Sequence, residues 1–222
     1  MKDENTIMTF INSILSHGVD GIGPLQSSQE LALSYQRQSH VLNDDDMVDS
    51  MIKWESSKSF GTGFVTGLGG VLTLPVNISA SLYASWVVQS RLAGAIAHIY
   101  GYDVHSEQVR TFILLALIGD GAKDILKGIG IEIGEKIILQ AIKKIPGHIL
   151  IEINKKVGFR LITKAGEKGV INLTKSVPFL GSFIGGSIDA ASTYTVGKTA
   201  QLLFKNSSKG NFDKDDNFCI VA

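Results

Sequence analysis

The sequence predicts an all-α fold, a glycine-rich helical bundle whose apolar helices are tightly packed and partly broken. Three observations point there. Apolar residues recur at helical spacing, as in Met47, Met51 and Trp54 or in Ile125, Ile129, Ile133 and Ile137. The 222 residues include 24 Gly and only 4 Pro, a composition that favours close helix packing over extended loops. Finally, 44% of residues are hydrophobic and 19% charged, fewer charges than the usual quarter of a soluble domain.

The chain divides into a helical extension (1–43), a helical domain (44–204) and a polar tail (205–222) expected to be disordered. Helices are predicted over 6–16 and 29–38, separated by a Gly-rich turn at 18–24. Asp44, Asp45 and Asp46 open the next helix, because negative charge is favourable at the positive end of the helix dipole. From 59 to 90 there is no Asp, Glu, Lys or Arg. That run could cross a bilayer by length, since ~20 apolar residues suffice. Its glycines and Pro75 argue instead for two helices meeting at the proline, the second continuing through Arg91 and stopping at Gly101. Asp103 or Ser106 can cap a helix that Gly119 ends, and Asp120 can cap another reaching Lys144. The stretches 129–133 and 149–153 alternate weakly, but the helical periodicity around them favours helix. A last helix runs from about Val177 to Phe204.

Composition excludes some functions. With 21 basic and 21 acidic residues the chain has no net charge, so nucleic acid is not an expected partner. The single cysteine, Cys219, precludes an internal disulfide and suits a reducing cytoplasm. The acidic start, MKDENTIMTF, lacks the basic region of a secretion signal. Cys219-Ile-Val-Ala222 has the form of a prenylation motif, a candidate lipidation site.

Chemistry-bearing patterns are sparse. Gly197-Lys-Thr199 lacks the earlier glycine of a phosphate-binding loop, and Gly61-Thr-Gly-Phe-Val-Thr-Gly67 lacks the strand that a dinucleotide turn follows. His98, Asp103, His105 and Glu107 are metal-ligand types without metal-site spacing, so no metal or cofactor is expected. Gly63 with Gly67, Gly130 with Gly134, and Gly181 with Gly185 are small-residue pairs that let helix backbones approach. Arg91 and Asp189 interrupt uncharged segments, so each needs a partner, with the other as one candidate, or must reach an interface with a lipid headgroup or ligand. His98, Asp103 and Asp120 complete the set of polar groups expected to be buried.

Gly63-Phe-Val-Thr-Gly-Leu-Gly-Gly-Val-Leu-Thr-Leu-Pro75, Arg91 and Ala97-His-Ile-Tyr-Gly-Tyr-Asp103 together resemble the signature of the bacterial EcsC family. Lys175-Ser-Val-Pro-Phe-Leu-Gly181 and Gly185-Gly-Ser-Ile-Asp189 are similar to its second glycine-rich block, so the resemblance spans roughly 45–205. It implies a helical domain and no particular chemistry, and its matched positions (Gly67, Gly70, Gly186 and Pro75 among them) are mostly backbone-shaping.

The expectation is a non-enzymatic protein acting from the cytoplasm and peripherally associated with the membrane. It would dock on membrane lipid, or on a membrane protein complex, through the glycine-rich helices. Tyr83, Trp86 and Tyr100 are candidate interfacial anchors. The alternative is a soluble interaction module that regulates a transporter or secretion complex. A third reading, an enzyme built on His98, Asp103 and Asp120, has no motif behind it.

Overall fold

A computed structural model describes residues 4–38, 43–58, 78–129, 144–173 and 180–205; within it, 164–173 and 180–188 are described as helical backbone only. These residues form eight α-helices and no strand beyond one isolated bridge, Ile22 to Leu25.

Helix α1 (Glu4–Leu15) buries Phe10, Ile11, Ile14 and Leu15 on one face and runs into a π-helical turn at Ser16–Asp20. Helix α2 (Ser28–Gln38) begins with a reciprocal cap. The Glu30 amide donates to Ser27 Oγ (3.2 Å), and the Ser27 amide donates back to the Glu30 carboxylate (2.8 Å). Helix α3 (Asp44–Lys58) carries its three acids in the first turn, and Asn43 supplies the cap by accepting from the Asp46 amide at 2.9 Å. Helix α4 (Ala80–Ile99) starts at Ser79, whose hydroxyl accepts from the Leu82 amide. It ends in a left-handed Gly101 (φ 83°), with the Tyr102 amide reaching back to Ala97 O and the Gly101 amide to His98 O.

Ser106, not Asp103, caps α5 (Glu107–Leu117); Asp103 instead accepts from the His105 amide. Helix α5 is buried on nearly every side from Thr111 to Leu117, and Gly119 (φ 60°) follows its end. Helix α6 (Gly121–Lys127) is short. Asp120 precedes it but makes no side-chain hydrogen bond to its amides, and residues 130–143 of the longer expected helix lie outside the described part. The stretch 149–153 is helical, within α7 (Gly147–Leu173). Leu150, Ile153, Val157 and Leu161 are buried at helical spacing, which outweighs the weak alternation. Helix α8 spans Leu180–Phe204.

Helix α4 is the hub, packing against α1, α2, α3, α5 and α8, while α7 lies across α1, α5 and α6. Residues 4–38 belong to this same core, since α1 and α2 supply Phe10, Ile11, Ile14, Leu31 and Ala32 to it. Helices close on one another where a glycine leaves room. Gly18 lies against Ser90 and Val87, Gly94 against Ser28, Gly158 against Ile7 and Ile11, and Gly197 against Ile52. None of these belongs to the three small-residue pairs, which lie in segments with no described side-chain surroundings.

Candidate functional site

The apolar stripe of α3 runs Met47, Met51, Glu55, and not on to Trp54. Both continuations fit a helix, one residue three positions on and the other four. The structure buries the acid, 3% exposed, and leaves the indole out at 59%. The reason lies in the neighbours of Glu55. Its carboxylate accepts from Tyr35 OH of α2 at 2.9 Å, from Arg91 of α4 at 3.1 Å and from Lys58 at 2.9 Å. Burial pulls the Arg91 pKa below its ordinary value while Glu55 pushes it back. Burial and the adjacent carboxylate raise Tyr35 far above the usual phenol range. A buried pair of this kind contributes little net stability against well-packed apolar residues, but it strongly penalises loss of one member.

The partner of Arg91 is thus Glu55, which the sequence reading missed; the acid standing in line with buried Met47 and Met51 was the available signal. Asp189 is half-buried on α8.

A second polar layer adjoins the first. Gln89 Nε2 donates to Ser85 Oγ (3.2 Å), Ser192 Oγ (3.2 Å) and Thr193 Oγ1 (3.4 Å), tying α4 to α8. Helices α3 and α8 run antiparallel. Asp45 pairs with Lys205, and Asp49 with both Lys198 (2.6 Å) and Gln201 (2.8 Å). Ile52 faces Gly197. That register carries Ser56 to the level of Thr193. Ser56 Oγ, Gln89 Oε1 and Arg91 Nε are buried without a hydrogen-bond partner, so this layer is polar and incompletely satisfied.

Above the buried layer, Lys58 Nζ stands 5.6 Å from the centroid of the Trp54 ring. This cation–aromatic pair is the last feature of α3 before the charge-free run from 59 to 90. Tryptophan and lysine each combine an apolar body with a polar tip, the combination suited to a membrane–water interface.

The other expected site residues are distributed as follows. Tyr83 and Trp86 are not at a surface but in the core. Trp86 stacks edge-on against Phe10 (5.7 Å), and Tyr83 OH lies 2.6 Å from Ser13 Oγ and 2.7 Å from His17 Nδ1. They face inward because α1 packs over that side of α4. Tyr100 is also buried and donates to Asp45 Oδ1 at 2.7 Å. Asp103 and Asp120, expected among the buried polar groups, are exposed, because each sits in a connection between helices, where backbone must reach water. His98 is half-buried near the end of α4. Among the described residues, no group of three or more His, Cys, Asp or Glu is arranged to hold a metal ion. Gly63, Gly67, Gly70, Pro75 and Cys219 lie outside the described residues, and Gly181, Gly185 and Gly186 are on α8 with their surroundings undescribed. Also among the described residues, no helix is long and apolar enough to cross a membrane.

No curated protein and no solved structure matches the chain. The EcsC family model matches residues 4–206, which takes in nearly all of the first forty residues that the motif resemblance left out. The half-buried Arg91, the glycine-terminated α4 and a single helical core holding both α1 and α8 all lie within that match, and the chain belongs to the EcsC protein family.

Proposed function

We propose that this EcsC-family chain is a non-enzymatic helical protein that docks peripherally on membrane lipid at the end of α3. The observation that carries the reading is the exposed Trp54, capped by Lys58 at the end of α3. Docking would place the indole in the interfacial layer, with the lysine nitrogen at headgroup level. The Glu55–Arg91–Tyr35 cluster beneath supports the reading by turning the Glu55 side of α3 inward and so leaving Trp54 outside. A second reading, a soluble module for a protein partner, draws on a shallow groove of about 310 Å³ between α6 and α8, lined by Lys123, Tyr194, Lys198 and Leu202.

Trp86→Phe leaves Trp54 as the sole tryptophan, so its emission reports this site alone. With vesicles of phosphatidylcholine in high salt, the protein should co-sediment and the Trp54 emission should move to shorter wavelength. Recovery in the supernatant with unchanged emission would overturn the membrane reading and favour the partner groove.

A further inference from the structure

We infer that the outward face of α7 is a docking surface for an anionic lipid bilayer; the inference rests on the reading above that the chain docks on membrane lipid, not on its Trp54 contact, and assigns it a lipid class. The neutral total charge conceals a division along the chain. The first 120 residues hold 12 acidic and 6 basic side chains, whereas residues 121–175 hold 11 basic and 5 acidic. Helix α7 lies in the basic part.

Its exposed face is not merely charged. Ile151 is 51% exposed and Phe159 62%, the largest exposure of any bulky apolar side chain among the described residues. They stand two turns apart, ~12 Å along the helix, and Lys155 lies midway between them. Exposed Lys156 and half-buried Arg160 lie along one side of the row. The cations have partners, Glu4 for Lys155 (3.2 Å), Glu152 for Lys156 (2.9 Å) and Asp124 for Arg160 (3.6 Å), but every one of these pairs is open to water. Such pairs are weak and exchange readily for other anions. An anionic bilayer meets both halves of this pattern. Its acyl boundary takes Ile151 and Phe159, and its headgroups take the lysine nitrogens, whose stems lie along the apolar row. A protein partner would bury the apolar pair but gains no general advantage from a basic excess spread over 55 residues. A nucleic acid would use the charge and leave the aliphatic Ile151 unmatched.

The test uses the full chain with vesicles of phosphatidylcholine alone and of phosphatidylcholine mixed with phosphatidylglycerol. The wild type should prefer the anionic vesicles, and the preference should shrink as salt rises. Lys155→Gln with Lys156→Gln should weaken binding to the anionic vesicles about thirtyfold, roughly fivefold per lysine, and leave phosphatidylcholine binding unchanged. Phe159→Ser should weaken binding to both. Because these side chains are exposed, thermal unfolding of each variant should match wild type. If the double lysine variant keeps the full anionic preference, the α7 inference falls while docking through Trp54 stands. If phosphatidylcholine binding is absent but the anionic preference survives and depends on the two lysines, the Trp54 reading falls and α7 stands. Tighter binding to single-stranded RNA than to anionic vesicles, lost in the same double variant, would overturn the lipid assignment.

Discussion

Replacing Gly18 by alanine should destabilise the protein by about 2–3 kcal/mol, and the geometry shows where that figure comes from. Gly18 sits in the π-helical turn after α1, directly on the backbone of α4. A Cβ there would fall on Ser90 Oγ and would lie 2.6 Å from the Val87 carbonyl oxygen. The serine can rotate. In doing so it gives up the hydrogen bonds it donates to Ile14 O (3.2 Å) and Val87 O (2.9 Å), a loss of about 1 kcal/mol. The carbonyl belongs to a helix and cannot rotate, so α1 and α4 must separate, and overpacking of this kind costs about 1–3 kcal/mol. Alanine's better helix propensity returns up to ~1 kcal/mol. For a chain of this length the net should lower Tm by about 5–10 °C, measurable by circular dichroism at the helix band. Gly147→Ala is the control, since nothing lies within 4 Å of a Cβ there, and it should melt within a degree or two of wild type. Ser90→Ala in the Gly18→Ala background should recover part of the loss but not the part due to Val87. If Gly18→Ala melts like wild type, the close approach of the two helices is not a determinant of stability and the packing argument fails.

Other expectations follow from the same geometry. Glu55→Gln leaves the largely buried Arg91 guanidinium without its counter-charge and should cost roughly 3 kcal/mol in urea unfolding. Glu55→Met with Arg91→Met should cost clearly less than Glu55→Gln, and an equal or larger loss would show that the pair itself holds α3 to α4. Burial lowers the His17 pKa, so protonating His17 opposes folding. Its contribution is therefore full above about pH 6.5 and declines as pH falls below that. His17→Gln should flatten the stability profile just below about pH 6.5, and an unchanged slope there would remove His17 as its source. Iodide should quench the fluorescence of Trp86→Phe, which reports Trp54, far more than that of Trp54→Phe, which reports buried Trp86; equal quenching would contradict the assignment of inner and outer tryptophans.

The sequence by itself determined the helical class, most helix ends and the place of α5 in the interior. Those features depend on local chemistry: Ser106 as a cap, Gly101 and Gly119 after helix ends, and an apolar run on every face of α5, whereas α4 begins at the Ser79 cap and not at Pro75 as expected. It also marked Arg91 as a charge in need of a partner. Tertiary structure alone decided who that partner is, because Glu55 and Trp54 are equally allowed continuations of one stripe until α2 and α4 pack against it. The same holds for Tyr83 and Trp86. An aromatic on an uncharged helix is as fit for a membrane interface as for a core, and only the docking of α1 over α4 makes it core. The division of charge was present in the sequence, but its meaning depended on α7 leaving Ile151 and Phe159 outside. Helical spacing shows which residues share a face, whereas burial depends on which face another helix covers, a non-local choice that no local pattern encodes.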